Sequence, residues 1–184
     1  MPRLAVAVSG SGTLLEAMIK SGLKIDLVIA DRPCRGYDIA GACSITRTLC
    51  NRPPRASFDR ETYTKWLAFT LEAEGADLLA MAGFMTILAP SIFEGRYGGK
   101  ILNTHPSLLP SFKGDHAVKD ALDYGVKVTG CTIHIATAKL DEGPILAQEA
   151  VRVLPGDTVE SLHERIKIVE RQLYPGILRE ILAE

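Results

Sequence analysis

Apolar residues in the first half of this chain fall into short, nearly continuous runs. Between the runs lie longer stretches whose apolar positions recur every three to four residues. "LAVAVS" (4–9) reads as a strand buried on both faces, and "TLLEAMIKSG" as a helix stopped at Gly22. "KIDLVIAD" (24–31) predicts a second strand and "GYDIAGACSI" a second helix. A polar loop rich in Arg and Pro, "TRTLCNRPPRASFD", comes next. "RETYTKWLAFTLEAEG" (60–75) is amphipathic with a glycine stop, and "ADLLAMAGF" (76–84) is a third buried strand. Runs of this kind alternating with helices predict a parallel sheet covered on both faces.

The second half is less regular. "KILNTH" (100–105) predicts a strand and "AVKDALDYG" a short helix. "VTGCTIHIAT" and "ILAQEAVRV" predict two strands separated by "AKLDEGP", an antiparallel pairing being compatible with that spacing. The last helix runs from Asp157 to Glu184, with Asp157 as N-cap and Glu160 three residues on. No repeat, low-complexity tract or linker interrupts the chain. The expectation is one α/β domain over residues 1–184, a Rossmann-like open sheet. Its N-terminal half is parallel, its C-terminal half carries antiparallel strands, and helices cover both faces.

Composition changes this picture little. The chain has 184 residues, 47% hydrophobic and 23% charged, with a formal net charge of −1. Bulk electrostatics therefore favours neither nucleic acid nor an anionic membrane surface. No segment reaches membrane-spanning length, and the N-terminus lacks a signal-peptide layout. Four cysteines (Cys34, Cys43, Cys50 and Cys131) form no C-x-x-C pair. A disulfide framework or metal site is not expected, and a reducing cytoplasm is.

Candidate chemistry begins at "SGSGTLL" (9–15), between the first strand and helix. Glycines there let backbone N–H groups approach an anion at the helix N-terminus. A dinucleotide fingerprint would use Asp31 on the ribose, but Leu15 stands where its third glycine belongs. A dehydrogenase is disfavoured for that reason, and Asp31 reads as a loop or cap residue. A single phosphate at Gly12 and Thr13, or simply a glycine-rich turn, both fit.

Asn103 and His105 sit at the end of a strand, where open sheets bind ligands. Residues two apart on a strand point the same way. An amide beside an imidazolium suits a developing oxyanion. Asp141, in the turn carrying Gly143 and Pro144, is the candidate partner of His105. A turn aspartate bonded to its own backbone, and a capping histidine, fit the residues as well.

"NTHPSLLPSFKG", "AGFMTILAP", "VTGCTIHIATAKLDEGPILAQ" and "ERIKIVERQLYP" resemble the folate-dependent formyltransferases, in particular the glycinamide ribonucleotide branch. The likeness extends from Leu4 to about Pro175. It implies formyl transfer from 10-formyltetrahydrofolate, a co-substrate, to the amine of glycinamide ribonucleotide in purine biosynthesis, with no metal. It implies Asn103, His105 and Asp141 as catalytic. Gly12, Thr13 and Leu14 would hold the phosphate, and Gly83, Lys167 and Glu170 the rest of the ribonucleotide. Arg60, Met85, Thr86, Ile87, Leu88 and Asn103 would contact the folate. Residues 1–99 would then be the phosphate-binding half and 100–184 the catalytic and folate-binding half. Small-molecule partners and a monomer or homodimer are expected.

The residues admit plainer readings alongside. Lys167 and Glu170 lie at the edge of an apolar helical stripe, where a surface ion pair is the ordinary outcome. "AGFMTILAP" is also an ordinary core sequence, and Arg60 a solvated helix start. Members of the resembled family commonly have Arg at the position of Thr86 and Asn at that of Leu14. They also usually continue past the last helix. Asp115, beside His116 on the loop after Pro110, is a further departure. His134 reads as a satisfied strand histidine. A formyltetrahydrofolate hydrolase and a non-catalytic phosphate-binding module remain the alternatives.

Overall fold

The computed structural model describes residues 2–183. Seven strands form one sheet: β1 (Leu4–Val8), β2 (Leu27–Ala30), β3 (Arg47–Leu49), β4 (Leu78–Met81), β5 (Ile101–His105), β6 (Val128–Ile135) and β7 (Ile145–Arg152). Their spatial order is β3-β2-β1-β4-β5-β6-β7. β1 to β5 pair parallel, and β6 and β7 join antiparallel. The helices are α1 (Thr13–Lys20), α2 (Arg35–Ala42), α3 (Arg60–Ala73), α4 (Ser91–Glu94), α5 (Ala117–Tyr124) and α6 (Val159–Ala183).

Strand alternation divides the core into two layers. Leu4, Val6, Val8, Val28, Ala30 and Leu102 face α1 and α6, meeting Leu15, Met18, Leu162 and Ile166. Ala5, Ala7, Leu27, Ile29, Leu79 and Ile101 face α3, meeting Leu67 and Leu71. Each fully buried leucine of this kind contributes about 2 kcal/mol. The chain leaves β1 toward β2 on one side, while β4 flanks β1 on the other. That reversal opens a crevice at the carboxyl ends of β1 and β4.

Several boundaries differ from the sequence expectation. The stretch read as a polar loop contains β3, which three short registers with β2 (Val28↔Arg47, Ile29↔Thr48, Ala30↔Leu49) supply at the sheet edge. Three residues are too few for a periodicity to register. β2 starts at Leu27 because the Asp26 carboxylate is turned back to accept the Leu4 N–H at 3.0 Å. β4 stops at Met81, and the chain bends away at Gly83 with a φ of 70°. The cap of α6 is Thr158 rather than Asp157. Ser161 N–H donates to Thr158 Oγ1 at 3.2 Å, and Thr158 N–H donates to Ser161 Oγ at 3.0 Å. Asp157 instead pairs with Arg165 and accepts the Leu154 N–H at 2.7 Å. The expected helix end at Glu184 lies outside the described residues.

Candidate active site

β5 delivers Asn103 and His105 to the crevice, and the antiparallel register of β6 sets His134 directly opposite Asn103. Asp141 enters from the turn after β6 with a left-handed φ of 54°. Gly143 makes that turn possible, since a Cβ there would lie 1.7 Å from the Ile135 carbonyl oxygen. Asp141 stands between the two histidines. Its Oδ2 is 3.4 Å from His105 Nδ1 and its Oδ1 3.7 Å from His134 Nε2. Oδ2 also accepts the Gly114 N–H at 2.9 Å.

The other nitrogen of His105, Nε2, donates to the Phe112 carbonyl at 2.7 Å. Both ring nitrogens thus face oxygen acceptors, which a doubly protonated ring satisfies. The segment 111–114 lies across this histidine, held by Phe112, by Gly114 and by a Lys113–Glu142 ion pair at 2.9 Å. Burial pushes the His134 imidazolium toward its neutral form. Its Nδ1–H donates to the Ile135 carbonyl at 3.1 Å, leaving Nε2 to accept from Asn103 Nδ2 at 3.3 Å. One amide hydrogen of Asn103 is thereby oriented, and the other is free for a ligand.

A cavity of about 120 Å³ opens beside this group. Met85, Thr86, Ile87 and Leu88 form one wall, Phe84 and Phe93 another, and Asn103, His134 and Asp141 its polar end. Met85, Ile87 and Leu140 remain 63%, 59% and 55% exposed around it, apolar surface that a ligand would cover. The Thr86 side chain turns inward: its hydroxyl donates to Asp31 Oδ2 at 2.7 Å. Asp31, expected as a loop or cap residue, is fully buried and also bonded by Arg32. Arg60 is exposed on the first turn of α3 and does not line the cavity.

Gly12 caps α1 with a φ of 69°, and Thr13 and Leu14 open the helix. A Cβ at Gly12 would lie 2.6 Å from Gly36 Cα, so the contact between this loop and α2 admits only glycine. Glu170 reaches the same layer from α6 and lies near Thr104, which is on the opposite face of β5 from Asn103 and His105. Burial raises its carboxyl above the ordinary range, with the nearby Thr104 hydroxyl opposing. Lys167 pairs with Glu164 at 2.8 Å, so the surface pair of Lys167 with Glu170 is replaced. Gly83 sits at the foot of the crevice with open space above it. The glycine loop and Glu170 therefore occupy one layer, the apolar cavity the other, and Asn103, His105 and Asp141 the rim between.

His134 is a buried, hydrogen-bonded strand histidine, as the sequence suggested, but its place opposite Asn103 and a hub at Thr132 were not foreseen. The Thr132 hydroxyl donates to the Ser107 carbonyl at 2.7 Å and accepts from Leu109 N–H and Gln148 Nε2, each at 3.0 Å. It fixes the segment after His105. The available signal was register, since a residue opposite Asn103 on a neighbouring strand must share its face. His116 is exposed beside Asp115, outside the cavity. Among the described residues no group of three His, Cys, Asp or Glu side chains is placed to hold a metal ion. No helix there is long and apolar enough to cross a membrane.

An amide, an imidazole and a carboxylate converging on an apolar slot beside an anion-ready helix end suit acyl-group transfer to a phosphate-bearing acceptor. The chain belongs to the formyl transferase family, whose model matches residues 2–178. It is 45% identical over 179 residues to phosphoribosylglycinamide formyltransferase of Mycobacterium tuberculosis, covering 93% of this chain and 80% of that one. It is 40% identical over 184 residues to the human trifunctional purine biosynthetic protein adenosine-3, covering 96% of this chain and 18% of that longer one. The crystal structure of phosphoribosylglycinamide formyltransferase from Bacillus halodurans superposes with a TM-score of 0.90 at 37% identity, covering 99% and 96% of the two chains.

Proposed function

We propose that this chain transfers the formyl group of 10-formyltetrahydrofolate to the amine of glycinamide ribonucleotide, a step of purine biosynthesis. The observation that carries the reading is the placement of Asn103 and Asp141 at the polar end of the cavity, with buried His105 against Asp141 at 3.4 Å, in a chain of this family. Gly12, Thr13 and Leu14 offer backbone N–H groups at the α1 N-terminus to the phosphate. Gly83, Lys167 and Glu170 are left for the rest of the ribonucleotide. Met85, Thr86, Ile87 and Leu88 form an apolar wall for a flat heterocycle, and Arg60 is left for the far, charged end of the donor. Free thiols on all four cysteines fit a reducing cytoplasm.

In the reaction the amine nitrogen attacks the formyl carbon, and the carbonyl electron pair moves onto oxygen. The Asn103 amide and the doubly protonated His105 donate hydrogen bonds to that oxygen. His105 Nε2 meets the Phe112 carbonyl at 2.7 Å, and the formyl oxygen takes over this acceptor position as segment 111–114 moves aside. Asp141 supports the His105 charge and accepts the ammonium proton through water. The proton then passes to N10 of the donor as the carbon–nitrogen bond breaks, releasing tetrahydrofolate and the formylated amine.

Formyl transfer followed spectroscopically, with and without glycinamide ribonucleotide, tests this. Turnover is expected only with both substrates, and is expected to vanish in His105→Ala. Turnover without the amine would reassign the chain as a hydrolase. Near-normal turnover in His105→Ala would remove the histidine from the mechanism.

A further inference from the structure

Three buried polar side chains join the two subsites without entering the chemistry above. Asp31 is fully buried at the carboxyl end of β2. Its two oxygens accept from Arg32 Nε and Nη2, each at 3.0 Å, and Oδ2 also accepts the Thr86 hydroxyl at 2.7 Å. Ser9, immediately before the glycine loop, accepts the Met85 N–H at 2.8 Å, and its hydroxyl is near enough to Asp31 to favour the charged carboxylate. Burial works against the Asp31 charge, but hydrogen bonds from Arg32 and Thr86, with the nearby Ser9 hydroxyl, outweigh it and hold the carboxyl below its ordinary value. The glycine loop is separately held to α2 by the Gly36 N–H, which donates to the Gly10 carbonyl at 3.0 Å.

Strand parity explains why this is a bridge. Ser9 continues β1 on the side of Ala5 and Ala7, the cavity layer. Gly10 to Gly12 then carry the chain over to α1 in the opposite layer. Met85 and Thr86, the two residues bonded to Ser9 and Asp31, are cavity wall. Packing alone needs no carboxylate there, since an apolar group of similar volume avoids its desolvation.

We propose that Asp31, acting with Ser9 and Thr86, is a positioning residue that couples the two substrate subsites. Seating the phosphate on the glycine loop fixes Ser9 and thereby the Met85–Thr86 wall, so each substrate binds more tightly when the other is present. The inference rests on the proposed function.

The test is equilibrium binding of a non-reactive pterin analogue of the formyl donor, with and without glycinamide ribonucleotide, alongside steady-state kinetics. The native protein is expected to bind the analogue about tenfold more tightly with the ribonucleotide present, the size of one hydrogen bond to a charged group. In Thr86→Val that enhancement falls to near one and the donor KM rises. Thr86→Ser, which keeps the hydroxyl, restores both, and Ser9→Ala reproduces the loss. A merely structural role would lower melting temperature and active fraction but leave the affinity ratio unchanged. An undiminished ratio in Thr86→Val and Ser9→Ala, or no enhancement in a native protein that does transfer formyl groups, overturns the coupling alone. A native protein without formyl transfer overturns the functional reading and the coupling with it.

Discussion

Replacing Asn103 with alanine removes one N–H donor from the cavity rim, and its effects on folding and on turnover separate cleanly. The amide nitrogen lies 3.3 Å from His134 Nε2, a long contact worth about 1 kcal/mol or less. His134 lines the cavity, so water can take the place of the lost donor. For a chain of this size about 1 kcal/mol corresponds to a fall of about 2–4 °C in melting temperature. The transition state loses more. One oxyanion donor accounts for about 10²–10³ in kcat, or about 2.7–4 kcal/mol. Because the bond strengthens only as charge reaches the oxygen, kcat and kcat/KM fall together. The assay is initial rate against both substrates, with thermal melts of the same preparation. A kcat within about threefold of the native value and an unchanged melt would refute the oxyanion role of Asn103. A melt lowered by far more than about 4 °C would instead mean that Asn103 is chiefly structural.

Gly143→Ala places a Cβ 1.7 Å from the Ile135 carbonyl oxygen, so the Asp141 turn must shift. A loss of about 3 kcal/mol and a large fall in kcat are expected, read by denaturant melts and initial rates. Gly12→Ala meets Gly36 Cα at 2.6 Å in a left-handed conformation, and the KM for the phosphate-bearing substrate is expected to rise more than that for the folate. For Glu170 the folded carboxyl is raised by burial, so between the unfolded and folded values the folded state holds the extra proton. Stability is therefore lost as pH rises through that window. Glu170→Gln is expected to gain stability relative to the native protein at neutral pH and to lose that advantage near pH 4, and equal melts at both pH values would contradict the raised carboxyl.

The sheet was legible because its buried strands read as apolar runs. β1 (Leu4–Val8) and β5 (Ile101–His105) need no context to be recognised. β3 was not legible, because a three-residue edge strand exists only through its ladder with β2. The α6 cap shifted by one residue because Asp157 found a better partner in Arg165. Asn103 and His105 could be paired from strand alternation alone, which is a local rule. The place of His134 could not, because it follows from the β5–β6 register, and nothing in its own neighbourhood sets that.

The same division runs through the site. The sequence by itself determined the alternation of strands and helices, the glycine loop, and the residue types able to stabilise an oxyanion. These depend on local spacing, intrinsic conformational preference and side-chain chemistry. Only the tertiary structure decided that Asp141 lies between two histidines and that Thr86 turns from the cavity to Asp31. The physical reason is that a side chain's partner is chosen by burial. A carboxylate or hydroxyl removed from water must find a hydrogen bond, and what is within reach is set by the packing of elements distant in the chain.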